Sequence, residues 1–228
     1  MTPQVVWSAN RDYPLRYGAI LNFTATGDFV LRDVDGSTVW TTNTTRKSVV
    51  GMNLTGDGNL VLFDVSGSVV WQSFDYPTDC LVLGQRLFQG QQLIPSVSST
   101  NWTAQKDLYS LQVTDEGLVA YVGSNPPQVY YKTRRSLRYA IRKTKYIRFL
   151  NGSLSFFFSS GHGNPDDYFV IPKASSAQYM KFMPDGRLKV FEWKLEIWSE
   201  VADLLTDKEY GNCTYPLACE RNAICSNY

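Results

Sequence analysis

The sequence predicts an all-β fold of tandem, pseudo-threefold units, and three observations carry that expectation. Residues 22–40 (NFTATGDFVLRDVDGSTVW) and 53–71 (NLTGDGNLVLFDVSGSVVW), offset by 31, agree at 11 of 19 positions, which marks an internal duplication. Short apolar runs alternate with turn signals rich in Gly, Asp and Ser, the pattern of successive short strands. A Val-Trp ending recurs at Trp7, Trp40 and Trp71, at spacings of 33 and 31, so three similar units are expected to pack together.

Each copy reads as a glycine-containing turn, a short strand, a second turn at Asp33 to Ser37 or Asp64 to Ser68, and a strand ending in Val-Trp. Successive side chains of a strand point to opposite faces. Leu60 and Leu62 therefore share one face, and Asp57, Asn59, Val61 and Phe63 share the other; Phe29 and Leu31 align with the leucines, which are expected to point inward. A tryptophan at the same place in every unit is expected in a core rather than as a platform for a ligand.

A Ser/Thr/Asn-rich stretch from Ser96 to Trp102 suggests a boundary, giving a first domain over 1–98 and a second over 99–206. The second half repeats the motif of strand, acidic-Gly turn and strand at 109–121 and again at 179–191, the latter leading to Trp198. Between them SLSFFFS (153–159) reads as a short buried strand. The second half thus looks like a diverged copy of the first.

The 22 Lys and Arg balance the 21 Asp and Glu, so no global field points to nucleic acid, and no apolar run reaches the 18 residues of a membrane-spanning helix. Met1-Thr-Pro-Gln does not begin a secretory signal. Sequons nevertheless begin at Asn22, Asn43, Asn53, Asn101, Asn151 and Asn212, making these candidate glycosylation sites. Cys213, Cys219 and Cys225, spaced C-x5-C-x5-C beside Gly, Asn and Pro, look like the start of a small disulfide-stapled module over 207–228 and not a metal site. Both features fit an oxidising, extracellular or cell-surface setting.

The phrases VVWSANRD (5–12), GDGNLVLFD (56–64) and VVWQSFDYPTDCLVLGQ (69–85) resemble the bulb-type, mannose-binding lectin domain in the ectodomain of plant S-receptor-like serine/threonine kinases. The stretch to Trp198 resembles the second lectin-like domain of such proteins, and CTYPLACERNAIC (213–225) the opening of their EGF-like module. The resemblance implies a β-prism of three four-stranded sheets for each lectin domain, which agrees with the threefold Val-Trp pattern. It also implies further strands before Val5, an EGF-like module continuing past Tyr228, and for Cys80 a partner in that preceding sequence or none. Kinase phosphate-loop, His-Arg-Asp and Asp-Phe-Gly motifs do not occur, and no catalysis is expected.

Bulb-type lectins bind mannose through Gln-x-Asp-x-Asn-x-Val-x-Tyr, in which period-2 spacing converges polar groups on sugar hydroxyls and lays Val and the ring against the C–H edge. The second copy reads Thr55-x-Asp57-x-Asn59-x-Val61-x-Phe63, and these five residues are the candidate carbohydrate site. Thr55 replaces an amide and Phe63 lacks a hydroxyl, which removes two hydrogen bonds of about 1 kcal/mol net each. The first copy (Thr24, Thr26, Asp28, Val30, Arg32) keeps only Val, and a further copy has Lys189 in place of that Val. Asn53 shares parity with Thr55, so a glycan there would lie on the same face.

The expected partner is a mannose-type or cell-wall carbohydrate; a peptide ligand or sister receptor bound by a lectin-like scaffold is the alternative, and neither nucleic acid, a metal nor a cofactor is implied. A basic stretch, Lys132 to Arg148, carries Arg134, Arg135, Arg138, Arg142, Lys143 and Lys145 without an acid and could grip an acidic partner. His162 stands alone in a Gly/Asn/Pro-rich loop, and the adjacent Asp166 and Asp167 would point opposite ways, so neither makes catalytic machinery.

Overall fold

A computed structural model describes residues 4–123, 125–133, 143–158, 165, 167–206, 211–216 and 218. The chain separates into two compact units: Trp7–Tyr76, and Met1–Val6 together with Pro77–Tyr228. The described strands all pair antiparallel, as the short apolar runs and intervening turns predict.

The Trp7–Tyr76 unit holds two three-stranded meanders. The first contains β1 (Ile20–Phe23), β2 (Phe29–Arg32) and β3 (Thr38–Thr41), and the second β4 (Val49–Leu54), β5 (Leu60–Asp64) and β6 (Val69–Gln72). The duplication is visible down to single hydrogen bonds. Thr24 N–H donates to Asp28 O and Gly27 N–H to Thr24 O; 31 residues on, Thr55 and Gly58 do the same to Asn59 and Thr55. Gly27 has φ of +81°, and a Cβ there would stand 2.9 Å from the carbonyl oxygen of Val49, so conformation and close approach both require glycine. A register shift falls after Leu31 in one copy and after Leu62 in the other.

Trp7, Trp40 and Trp71 meet in a triangle of edge-to-face contacts, with centroid separations of 6.0, 5.9 and 5.9 Å. They pack with Phe29, Val49, Leu60 and Leu62 into the core of this unit, and the Trp7 indole N–H donates to the carbonyl of Tyr76 at 2.9 Å. The recurring tryptophan is a core residue, each ring edge set against a neighbour's electron-rich face.

The second unit contains three four-stranded sheets. Its strands are β7 (Cys80–Val82), β8 (Arg86–Phe88), β9 (Gln92–Leu93), β10 (Tyr109–Thr114), β11 (Gly117–Val122), β12 (Gln128–Lys132), β13 (Thr144–Leu150), β14 (Ser153–Phe158), β15 (Asp167–Val170), β16 (Gln178–Phe182), β17 (Leu188–Lys194) and β18 (Ile197–Asp203). The sheet orders are β12-β11-β10-β9, β15-β14-β13-β8 and β18-β17-β16-β7. Each is a local meander closed on the outer side of its first strand by one short strand from residues 80–93. That is the β-prism arrangement, and its core draws Leu93, Leu111 and Leu118 from one sheet, Leu87, Ile147, Phe149 and Leu154 from the next, and Leu81, Met180, Phe182 and Leu188 from the third.

The boundary in space therefore differs from the sequence boundary at residue 98. Residues 80–93 read as the end of the first domain, but Leu93 pairs with Leu111, Leu87 with Ile147 and Leu81 with Met180, all at 1% exposure or less. Burying these leucines ties the strands to the later sheets. The hairpins read at 109–121 and 179–191 are β10–β11 and β16–β17, and the SLSFFF run is β14, five of its six residues buried.

Candidate functional site

The five candidate residues lie on β5 and on the turn that enters it. Thr55 closes that turn: its Oγ1 accepts the N–H of Asn59 at 3.1 Å, and its own N–H donates to Asn59 O at 2.9 Å. Asp57 stands exposed at the tip. Val61 and Phe63 are half-buried on the outer face while Leu62 between them is fully buried, as strand parity requires. Phe63 lies across Gly51, where a Cβ would come within 2.7 Å of the ring.

Val61 is the centre of a cross-strand row, facing Asn53 on β4 and Gln72 on β6. Paired residues share a face. The exposed Asn53, itself a sequon position, thus stands beside Val61, and Gln72 beside it on the other side, two neighbours that the linear motif does not reveal.

Asn59 is 9% exposed, and its amide is engaged within the fold. Its Nδ2 donates to Gln72 Oε1 at 2.9 Å, while its Oδ1 accepts from Ser73 Oγ at 3.1 Å and from the N–H of Phe74 at 3.2 Å. Gln72 Nε2 donates onward to Asp75 at 3.0 Å. Asn59 therefore fixes the end of β6 and orients Gln72.

The first copy shows the same device with a carboxylate. Asp28 accepts from the hydroxyls of Thr41 (2.7 Å), Thr42 (2.8 Å) and Thr45 (3.2 Å) and from the N–H of Thr44 (3.1 Å). Burial pushes its pKa up, but the four donors outweigh it and hold the group at about 2. The outward positions have been spent too: Thr24 and Thr26 bond each other at 3.0 Å, and Val30 is buried. In the second unit Lys189, at the Val position, pairs with Glu200 at 2.8 Å, and Arg187, at the Asn position, pairs with Asp203 at 3.1 Å beneath the Tyr215 ring.

Residues 4–103 match the family described as D-mannose binding lectin. The chain carries a bulb-type lectin domain. Over 96% of its length it is 34% identical to EP1-like glycoprotein 4 of Arabidopsis thaliana, of which it spans 54%. It is likewise 34% identical over 97% of its length to a G-type lectin S-receptor-like serine/threonine-protein kinase of the same plant, spanning 25% of that protein, and 30% identical to the epidermis-specific secreted glycoprotein EP1 of Daucus carota, spanning 65%. The chain thus spans about half the length, or less, of the Arabidopsis relatives named. Among solved structures it is similar to the two-domain, fetuin-binding Scilla campanulata agglutinin, with 14% identity, a TM-score of 0.34, and 86% of this chain and 97% of that one covered.

The other candidate features of the lectin-bearing chain fare unevenly. Asn22, Asn43, Asn53, Asn101 and Asn151 are all exposed. In the basic stretch, Lys132 pairs with Glu116 at 2.5 Å, Lys143 with Asp115 at 3.8 Å, and Arg148 Nε donates to the carbonyl of Gly84 at 3.0 Å. Arg134, Arg135, Arg138 and Arg142 lie outside the described residues, as do His162, Asp166, Cys219 and Cys225. Of the stretch read as an EGF-like start, 207–228, only residues 211–216 and 218 are described. Cys80 is buried on β7, its thiol 3.7 Å from the carbonyl oxygen of Val5. Among the described residues no cluster of His, Cys, Asp or Glu could hold a metal, and no helix is long and apolar enough to cross a membrane.

Proposed function

We propose that this is an extracellular carbohydrate-recognition protein that takes a mannose-type glycan on the outer face of β4, β5 and β6. The observation that carries this reading is the row Asn53–Val61–Gln72, with the exposed Asp57 on the turn that enters the same strand, within a domain of mannose-binding type. Asp57 accepts hydrogen bonds from vicinal hydroxyls, Gln72 donates and accepts, and Val61 with the Phe63 ring meets the apolar C–H edge of the sugar. Asn59 serves by holding Gln72 in place, and Thr55 by fixing the turn that presents Asp57. Extracellular placement is supported by the exposed sequons and by relatives named as glycoproteins, one of them secreted.

A glycan on Asn53 would occupy the same face, so attachment there gates the site. The test is a glycan-array screen of the secreted protein and of its Asn53→Gln variant. Binding to mannose-type glycans that is strengthened by Asn53→Gln and lost on adding Asp57→Ala supports the reading; absence of binding in both proteins overturns it.

A second reading, a lectin-like scaffold that binds a peptide or a sister receptor, is favoured by one observation. The amide of Asn59, a sugar ligand in the family motif, is already engaged by Gln72, Ser73 and Phe74. Partner capture that persists in Asp57→Ala while no glycan binds would favour this reading over the first.

A further inference from the structure

The second unit contains a cavity of about 470 Å³ between the outer face of β16–β17–β18 and the loop that follows β9. That volume lies within the range of small-molecule sites. The floor is aromatic where the outer face of an antiparallel sheet is ordinarily polar. Tyr179 stacks on Phe191 with centroids 5.1 Å apart, and Trp198 meets Tyr179 edge-on at 4.8 Å. From the loop Trp102, 48% exposed, also lines the cavity, its indole N–H donating to the carbonyl of Ser99 at 3.3 Å. The loop is braced from within: Ser98 Oγ accepts the N–H of Asn101 at 3.0 Å and that of Thr100 at 3.3 Å.

Polar chemistry in the cavity is sparse. The hydroxyls of Ser98, Ser99 and Thr100 edge it, the Gln4 amide lines it with its Oε1 already accepting from the Tyr179 hydroxyl at 3.3 Å, and among the described lining residues there is no carboxylate. Lys181 also reaches the lining, but its ammonium lies 3.5 Å from Asp79, a buried carboxylate that also accepts from Ser96 Oγ at 2.7 Å. The charge of Lys181 is therefore balanced from behind, and an anionic ligand gains little from it. A pyranose, with hydroxyls around its whole rim, calls for several strong acceptors, and this lining carries no carboxylate and one amide whose oxygen is already engaged. A flat ring with one or two hydroxyls needs only what is present.

We infer that this cavity binds a small, neutral, hydroxylated aromatic molecule of the phenol class, its ring between Trp102 and the Tyr179–Trp198 floor and its hydroxyl on the Ser98–Thr100 rim. Aromatic rings favour offset or edge-to-face contacts, which both walls offer. The site is separate from the β4–β5–β6 face and does not depend on the reading given to it.

Isothermal titration calorimetry with coniferyl alcohol as the probe tests the inference, with methyl α-mannoside as comparator. The expected result is saturable binding with a dissociation constant below about 1 mM, weakened at least tenfold in Trp102→Ala and abolished in Thr100→Phe, which fills the mouth. Asp57→Ala, in the other unit, leaves it unchanged. Unfolding midpoints equal to that of the parent protein show that the variants are folded. Absence of binding by the parent protein, binding undiminished in folded Trp102→Ala, or displacement of the probe by methyl α-mannoside overturns the inference.

Discussion

The two units of this chain share a repeat but differ in how their sheets are closed. In the second unit every meander is flanked by a fourth strand whose leucine is buried against the first strand, at Leu93, Leu87 and Leu81. In the Trp7–Tyr76 unit β1 and β4 occupy that first position and, among the described residues, pair on one side only. Apart from the buried Val49, most of their inward residues remain open: Leu21 is 54% exposed, Met52 50% and Leu54 67%. What replaces closure there is the tryptophan triangle, together with the clamps of Asp28 and Asn59. One unit is held by burial of many aliphatic side chains, the other by a few large rings and a polar lattice.

The comparison can be broken at several points, and the largest effect is expected at the triangle. Trp71→Ala removes a ring that touches both other tryptophans and stacks on Tyr76. A loss of about 3–5 kcal/mol is expected, confined to the first unit and visible as loss of amide protection in β2 and β5 by hydrogen exchange. Next, Leu87→Ala should cost the second unit about 2–5 kcal/mol, whereas Leu21→Ala, the same deletion on an uncovered strand, should fall within about 0.5 kcal/mol. Equal losses in paired denaturant titrations would mean that the fourth strand is not what separates the units.

The two clamps differ in charge, and pH separates them. The folded pKa of Asp28 is depressed to about 2 from an ordinary 3.8, so its contribution is complete above the unfolded value and is lost as pH falls from about 4 to 2. The linked stabilisation is about 2 kcal/mol. Asp28→Asn makes the first copy resemble the second and should remove this dependence from acid titrations of the first unit. The smallest effect belongs to the surface: Lys132→Ala, breaking the exposed pair with Glu116, should change stability by no more than about 1 kcal/mol.

Much of this was legible in the sequence because the repeat exposes period-2 parity twice. The inward leucine of β5, the tryptophans packed together in the core and the later hairpins follow from it. Strands β7 to β9 did not, since runs of two or three residues carry no periodicity and their partners lie up to about a hundred residues onward. At the candidate site, parity placed Asn59 outward, but only the chain path shows Gln72, Ser73 and Phe74 closing over its amide. A signal for that existed: Thr41-Thr42 and Gln72-Ser73 follow their tryptophans at equal offset, each supplying side chains to the clamp. The neighbours Asn53 and Gln72 follow from strand register, which a motif read along one strand does not contain.

The most direct test of the lectin reading is an NMR titration of the Asn53→Gln protein with a mannose oligosaccharide, following backbone amides. Shifts centred on Asp57, Val61, Phe63 and Gln72, absent in Asp57→Ala, are the predicted result. Binding whose shifts lie elsewhere, or no shift at saturating sugar, would contradict the placement of the site on β4, β5 and β6.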